Sequence, residues 1–124
     1  MSATANVDVV IDCTDPAALA AFWAEALAYD NVGQFDQYVV LLPREPGHPP
    51  VILQGVPEAK RGKCRVHIDI RADDVEVEAR RLEALGASRI DIGQGEQAWI
   101  TMADPEGNEF CVCPGVPLPE VTAP

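Results

Sequence analysis

Apolar and polar positions alternate at the start of the chain, over residues 7–12. One face carries only aliphatic side chains and the other carries two carboxylates: Val7, Val9 and Ile11, against Asp8, Val10 and Asp12. This alternation predicts a strand with one buried face. Thr14 and Asp15 then offer capping side chains and Pro16 suits a first helical turn, so a helix is predicted over about residues 16–28.

The rest of the first half predicts two more strands, over residues 38–42 and 51–54, where β-branched and aliphatic residues dominate. Residues 43–50 between them are rich in proline and contain a glycine, which predicts a turn-rich connection. Residues 31–36 are predicted to form a loop.

The same strand-and-helix pattern begins again at residue 65. Apolar side chains alternate with polar ones over residues 65–71: Val66, Ile68 and Ile70, against His67, Asp69 and Arg71. Asp73 or Asp74 is predicted to cap a helix that stops at Gly86. Further strands are predicted after it, over residues 88–92, 99–102 and 109–113, with a turn at residues 104–108.

The two halves repeat one pattern, because Asp8 and His67 are 59 residues apart and so are Asp15 and Asp74. Each copy has one helix and a small sheet that cannot bury its apolar face alone. The two sheets are therefore predicted to join edge to edge beneath the helices. The predicted fold class is α+β: two βαβββ repeats forming a concave, partly closed mixed sheet with helices on the outer face.

The length of 124 residues suits one hydrophobic core, so a single domain is predicted over residues 1–124. Its parts are predicted in this order: a first half at about 6–56, a linker at 57–63, a second half at about 64–114 and a C-terminal tail at 115–124. The tail is rich in proline, which predicts an extended segment.

The chain is acidic, with a formal net charge of −11 at pH 7. This charge repels phosphate backbones and anionic lipids, so neither nucleic acid nor a membrane is an expected partner. The sequence shows no basic start followed by a long apolar stretch, the pattern that would predict export. A cytoplasmic location is therefore expected. The cysteines fit no spaced disulfide or zinc framework and are expected to be buried and reduced: Cys13, Cys64, Cys111 and Cys113.

Three segments resemble the vicinal oxygen chelate superfamily, in its glyoxalase-like and bleomycin-resistance-like members. They are VDVVIDCTDPAALAAFWAEAL, VILQGVPEAKRGKCRVHIDIRADDVEVEARRLEALGA and MADPEGNEFCVCP. The most specific part is HIDIRADD followed by a helix and then DPEGNEF. The resemblance implies the paired βαβββ fold, frequent homodimerisation, and a cup that often binds a divalent metal through four side chains.

The metal positions of such relatives carry over to this chain only in part. His67 matches the third position, but the first, usually histidine, is Asp8. The second corresponds most nearly to Gln54, and the fourth, normally glutamate, falls on Cys111. The resemblance therefore implies a divalent metal held by His67 with Asp8 and Gln54, at a site that has lost most of its usual ligands.

His67 and Asp8 are the predicted catalytic residues. Imidazole exchanges a proton near neutral pH, so His67 is suited to act as a general acid or base with Asp8 or Asp69 orienting it. A metal ligand and a satisfied polar residue at the centre of the sheet are the alternatives for His67.

The polar rows of the predicted strands are expected to face the concave side, where burying charges without purpose is costly. They predict a substrate-binding surface: Gln54, Asp12, Asp69, Arg71, Tyr38, Trp99 and Cys111. Two alternatives stay open. Arg71 paired with Asp12 or Asp69 would be purely structural, and Tyr38 and Trp99 are equally suited to core packing.

The function that these residues predict is a glyoxalase-like small-molecule enzyme with isomerase, lyase or dioxygenase chemistry on a small oxygenated metabolite. The alternative is a non-catalytic protein that sequesters a drug or other small molecule, as in the bleomycin-resistance branch of the resemblance. A third reading is an accessory subunit in which the cup has become structural.

Overall fold

The computed structural model describes residues 6–90 and 98–115. The first half contains five elements: β1 Val9–Cys13, α1 Pro16–Leu27, β2 Asp30–Phe35, β3 Tyr38–Leu42 and β4 Val51–Gly55. The second half repeats their order: β5 Asp69–Ala72, α2 Val75–Leu85, β6 Ser88–Arg89, β7 Ile100–Ala103 and β8 Glu109–Pro114. These two βαβββ halves confirm the predicted α+β fold.

Each half forms a mixed sheet of four strands, with the orders β1-β4-β3-β2 and β5-β8-β7-β6. β1 pairs with β4, and β5 with β8, in parallel, while the remaining pairs are antiparallel. β1 and β5 are therefore edge strands, and within the described residues no ladder joins the two sheets. The prediction that the sheets join edge to edge is wrong, because a cleft lined by β1 and residues 64–68 lies between them.

Both helices begin at the predicted caps. Oδ1 of Asp15 accepts a hydrogen bond from the N–H of Ala18 at 3.2 Å, and Oδ1 of Asp74 accepts one from the N–H of Val77 at 3.1 Å. α2 is capped at its C-terminal end by Gly86, which has a φ of 122°. Glycine adopts positive φ values with little strain because it has no Cβ. With 12 and 11 residues, neither helix of the described part is long and apolar enough to cross a membrane.

The loop predicted over residues 31–36 is wrong, because residues 30–35 form strand β2. β2 pairs with β3, but its register shifts between Asn31 and Gln34, around Gly33 at φ 120°. A bulge of this kind puts successive side chains out of step with the two-residue period of a strand. β2 is also an exposed edge strand without a buried face, so the sequence carries no alternation to detect.

The predicted strands of the second half are present, but two of them start later. β5 begins at Asp69, so His67 lies in the segment just before it, although the carbonyl of Ile68 already accepts a hydrogen bond from the N–H of Cys111 at 2.9 Å. β7 begins at Ile100, which leaves Trp99 before it. The strand predicted over residues 88–92 appears as β6, and its residues 91–92 lie outside the described residues.

Aromatic residues of α1 connect the two halves. The rings of Phe22 and Trp23 meet edge to face with centroids 5.1 Å apart, and Trp23 meets Phe110 of β8 at the same distance. Pairs of this geometry contribute about 1 kcal/mol each beyond the apolar area that they bury. Arg81 of α2 also donates to the carbonyl of Ala26 near the end of α1, at 2.9 Å. The halves thus meet through α1, which contacts both α2 and β8, rather than through a ladder between their sheets.

The two sheets present different faces on the side away from the helices. In the second sheet this face is polar, because Asp69 pairs in register with Cys111, which pairs with Thr101. In the first sheet it carries exposed apolar side chains: Val10, Phe35 and Leu42, with 50%, 58% and 39% of their surface exposed. The polar row predicted for residues 65–71 therefore faces away from the core as expected.

Candidate functional site

Two cavities open beside the second sheet and share two lining residues, His67 and Glu109. The first, of about 770 Å³, lies in the cleft between the halves. Its walls are β1, the linker with residues 64–68, and the start of β8. The second, of about 380 Å³, lies over the polar face of the second sheet. Its other lining residues are Lys63, Asp69, Trp99, Thr101, Cys111 and Cys113.

His67 and Asp69 form a close pair in the wall that the cavities share. Nε2 of His67 lies 3.0 Å from Oδ1 of Asp69, and the two side chains are 41% and 52% exposed. Cys111 faces them from β8, and one ligand atom from each of the three residues lies within 4.8 Å of the others. Of the two carboxylates predicted to orient His67, Asp69 is the one in contact. We call these three residues the His67 cluster.

Burial raises the pKa of the thiols on this face. It is the main cause for both Cys111 and Cys113, and the negative charge of Asp69 raises both pKa values further. Oγ1 of Thr101 lies 3.8 Å from Sγ of Cys111 and favours its thiolate to a smaller extent. A protonated thiol is a poor nucleophile and a poor ligand. The raised pKa therefore makes Cys111 a weaker nucleophile and ligand unless a nearby cation stabilises its thiolate.

Glu109 fixes the linker against the first cavity. Its Oε1 accepts a hydrogen bond from the main-chain N–H of Cys64 at 2.9 Å, and its Oε2 accepts one from Nζ of Lys60 at 3.0 Å. Desolvation, the largest single influence, raises the pKa of Glu109, but hydrogen bonds from Cys64 and Lys60 together lower it to about 2. Glu109 is therefore an ionised anchor with its hydrogen bonds satisfied.

The predicted residues of the first half come together only in part. Asp12, Gln54 and Tyr38 lie side by side across three strands, because Gln54 pairs with Asp12 on β1 and with Tyr38 on β3. Asp12 and Gln54 line the first cavity together with His67, whereas Tyr38 is half-buried outside its lining. Asp8 precedes β1, is exposed, and lines neither cavity.

Trp99 and Arg71 line different cavities, although Asp69 of the His67 cluster lines both. Trp99 lines the second cavity and is 40% exposed, so it forms a wall rather than part of the core. Arg71, the register partner of Cys113, lines a separate groove of about 570 Å³ with Asp69 and residues 26–29 and 43–45. Arg71 lines neither of the two cavities that contain His67.

The sequence pattern of the glyoxalase-like domain matches residues 8–113. The chain belongs to the glyoxalase-like domain family. This membership confirms the resemblance to the vicinal oxygen chelate superfamily. No curated protein matches this glyoxalase-like domain significantly in sequence.

Solved structures of low sequence identity share the fold of this glyoxalase-like domain. A glyoxalase/bleomycin resistance protein/dioxygenase family enzyme from Burkholderia phytofirmans PsJN has a TM-score of 0.68 and 17% identity, covering 89% of this chain and 100% of its own. An antibiotic-binding protein from Streptomyces sp. CB03234 has a TM-score of 0.64 and 18% identity over 92% and 98% of the two chains. A lactoylglutathione lyase from Agrobacterium tumefaciens has a TM-score of 0.60 and 21% identity over 92% and 96%.

The donor set of the His67 cluster fits a zinc-class ion. Imidazole, carboxylate and thiolate are ordinary zinc ligands, and three protein ligands with one open position are typical of catalytic zinc sites. The separation of at most 4.8 Å between the donor atoms allows one ion to reach all three. Hard ions such as Mg²⁺ prefer oxygen ligands in octahedral geometry, which this set does not offer. Of the predicted ligands, His67 belongs to the cluster, while Asp8 and Gln54 do not.

Sequence reasoning did not single out the basic residues at positions 60–65. Lys60, Arg61 and Arg65 line the first cavity, and Lys63 lines the second. The signal was present in the chain, because these four residues are nearly half of its nine lysines and arginines and lie within six positions.

Proposed function

We propose that this glyoxalase-like domain is an enzyme that moves a proton on a small oxygenated organic molecule, at a carbon next to a carbonyl group. The observation that supports it is the position of His67, which lines both cavities with its Nε2 3.0 Å from Oδ1 of Asp69. An imidazole held by a carboxylate, beside a cavity, is the usual arrangement of a general acid–base residue. The reaction class is isomerisation or elimination.

In this proposal Asp69 fixes the tautomer of His67. A hydrogen bond from Nε2–H to Oδ1 of Asp69 leaves Nδ1 as the basic nitrogen of the ring. Nδ1 takes a proton from the carbon next to the carbonyl, and the imidazolium that forms is stabilised by the carboxylate beside it. His67 then returns the proton to a neighbouring atom of the substrate. Trp99 supplies an apolar wall that excludes water on one side.

A zinc-class ion held by His67, Asp69 and Cys111 would supply a Lewis acid that polarises a substrate oxygen. The same Nε2 cannot carry a proton toward Asp69 and bind an ion at once. The acid–base proposal therefore expects added zinc to suppress proton transfer in proportion to its binding.

The test is exchange of carbon-bound hydrogen for deuterium in D₂O, followed by NMR with hydroxyacetone and pyruvate as probes. We expect exchange with the wild type, its loss in His67→Ala, and reduced exchange in Asp69→Asn. His48→Ala is the matched control, because His48 is the other histidine of the chain and is exposed in the loop before β4. Exchange that requires zinc, or that survives in His67→Ala, would contradict the acid–base role.

A non-catalytic ligand-binding protein is the second candidate, supported by the apolar share of the first cavity. Val10, Ile11, Val56 and Ile68 are among its lining residues. A fold relative from Streptomyces sp. CB03234 is an antibiotic-binding protein. If this reading is correct, compounds bind and raise the melting temperature while no probe exchanges hydrogen.

We also propose that the chain forms a homodimer through the face of the first sheet that the helices leave uncovered. Val10, Phe35 and Leu42 are exposed there by 50%, 58% and 39%, and exposed apolar patches mark interaction sites. A substitution of Phe35 by Asp is expected to shift the mass measured by light scattering from dimer to monomer. A wild-type protein that is monomeric across micromolar concentrations would contradict the proposal.

A further inference from the structure

Basic side chains are concentrated in the linker and the two residues after it, in an otherwise acidic protein. The chain has nine lysines and arginines and a formal net charge of −11. Four of the nine lie within residues 60–65, and three of these line the first cavity: Lys60, Arg61 and Arg65. The acid–base chemistry proposed for His67 makes no use of them.

Two of these cations have no partner among the residues that the structure describes. Arg61 and Arg65 make no ion pair or hydrogen bond with any residue in the ranges 6–90 and 98–115. Lys60, in contrast, is paired with Glu109. Most other arginines of these ranges are paired as well: Arg44 with Asp30, Arg81 with Glu78, and Arg89 with Glu76 and Glu83.

The backbone between the two guanidinium groups is held in place. Glu109 binds the N–H of Cys64 and the ammonium of Lys60, and Lys60 also donates to the carbonyl of Gly62. A fixed backbone lowers the entropy lost when Arg61 and Arg65 close on a ligand. A guanidinium offers two parallel N–H donors that match the geometry of a carboxylate.

The remaining lining of the cavity is mixed. Its apolar part includes Val9, Ile11, Val56, Ile68 and Phe110, which suits a hydrocarbon body. Its carboxylates, other than the anchor Glu109, are Asp12 on the opposite wall and Glu58 on the linker. Neither carboxylate lies within 4.0 Å of a guanidinium nitrogen of Arg61 or Arg65, so neither neutralises these cations by contact.

We propose that the first cavity binds an amphipathic organic anion, whose carboxylate is held by Arg61 and Arg65 and whose apolar body lies in the cleft between the halves. Its reactive end lies at His67, which lines the same cavity. This inference rests on the proposed function for the identity of the reactive end. The binding of the anion itself depends only on the two arginines and the apolar lining.

The experiment compares the affinities of three probes of the same shape by calorimetry: 3-phenylpropanoate, its neutral amide, and the cation 3-phenylpropylammonium. We expect the carboxylate to bind at least about tenfold more tightly than the amide, which corresponds to one charge-assisted contact of about 1.4 kcal/mol. The cation is expected to bind most weakly. Added salt should weaken binding of the carboxylate and leave that of the amide unchanged.

Variants locate the effect. Arg61→Ala and Arg65→Ala should each lower the affinity for the carboxylate toward that for the amide. Glu58→Gln, which removes a negative charge from the lining, should raise the affinity for the carboxylate. Arg80→Ala removes the same charge from the exposed side of α2 and should change nothing. His67→Ala should retain binding of the carboxylate. A wild-type protein that binds the carboxylate but exchanges no hydrogen would contradict the proposed reaction alone. This inference would be overturned if the carboxylate and the amide bound equally well, or if neither bound. It would also be overturned if neither arginine substitution changed the affinity for the carboxylate.

Discussion

The indole N–H of Trp23 donates a hydrogen bond to Oδ2 of Asp104 at 3.0 Å, between two buried side chains that are 81 residues apart in the sequence. Oδ1 of the same Asp104 accepts hydrogen bonds from the N–H groups of Glu106 and Asn108, and so shapes the turn before β8. Glu106 in turn accepts hydrogen bonds from the main chain at the start of α1. This turn therefore connects α1 to the strand that carries Glu109 and Cys111, and it helps to position one half against the other.

Replacing Trp23 by Phe should lower the free energy of unfolding by about 2 kcal/mol. The substitution keeps an aromatic ring in the core but removes the hydrogen bond to Oδ2 of Asp104, which keeps a second donor in Nδ2 of Asn108. A hydrogen bond to a carboxylate contributes about 1.5–3 kcal/mol. Denaturant unfolding measures the change. Trp99→Phe is the control, because Trp99 is 40% exposed and its substitution should cost less than about 0.5 kcal/mol. Equal losses for the two variants would contradict the role of the hydrogen bond.

Replacing Glu109 by Gln should remove part of the acid sensitivity of the fold. The pKa of Glu109 is lowered to about 2 in the folded chain, against an ordinary 4.5. A lowered carboxyl pKa stabilises the folded state above pH 4.5, and this stabilisation is lost as the pH falls from 4.5 to 2. We expect Glu109→Gln to cost on the order of 2 kcal/mol at pH 7 and progressively less below pH 4.5.

Melting temperatures between pH 2 and pH 7 test this expectation. Glu58→Gln, on the linker, is the matched control because Glu58 makes no ion pair or hydrogen bond within the described residues. A difference between the wild type and Glu109→Gln that stays constant across this range would show that Glu109 does not supply the stabilisation.

Replacing Arg81 by Ala should destabilise the contact between the two helices by about 1–2 kcal/mol. The guanidinium of Arg81 donates to the carbonyls of Glu25 and Ala26 at the end of α1 while it pairs with Glu78 of α2. Arg80→Ala, which removes a neighbouring exposed arginine, should change the free energy of unfolding by less than about 0.5 kcal/mol. Chemical denaturation compares them, and similar values for both would argue against the interhelical contact.

Zinc binding to the His67 cluster should strengthen as the pH rises. Burial raises the pKa of the Cys111 thiol, so zinc must displace its proton, and affinity is expected to rise up to about tenfold per pH unit below that pKa. Cys111→Ser should weaken binding and flatten this dependence, whereas Cys64→Ser, outside the cluster, should preserve both. Calorimetric titrations at several pH values measure the slope. An unchanged slope in Cys111→Ser would show that the thiol is not a ligand.

Local pattern was sufficient for much of the fold. The caps at Asp15 and Asp74 and the alternation around Val9 and Ile70 each depend on neighbours within a few residues, so the sequence predicted both helices and most strands. β2 escaped prediction because its bulge and its exposed position remove the alternation that identifies a strand.

The candidate site was predictable only as a set of residues. The sequence placed His67 and Asp69 on one side of the second sheet, because side chains two positions apart on a strand share a face. Cys111 was singled out through the resemblance, as the residue at the fourth metal position. Which carboxylate lies against His67 depends on the register of β5 with β8 and on the separation of the two sheets, and neither is encoded in local pattern.

The sequence by itself therefore determined the repeated βαβββ halves and the family, and it predicted His67 as the candidate catalytic residue. Only the tertiary structure decided that Asp69 rather than Asp8 lies against His67, that the halves meet through α1, α2 and the turn at Asp104, and that Arg61 and Arg65 line the cleft. The physical reason is range: capping and alternation act between neighbours in the chain, whereas ion pairs, register and cavities form between segments that only folding brings together.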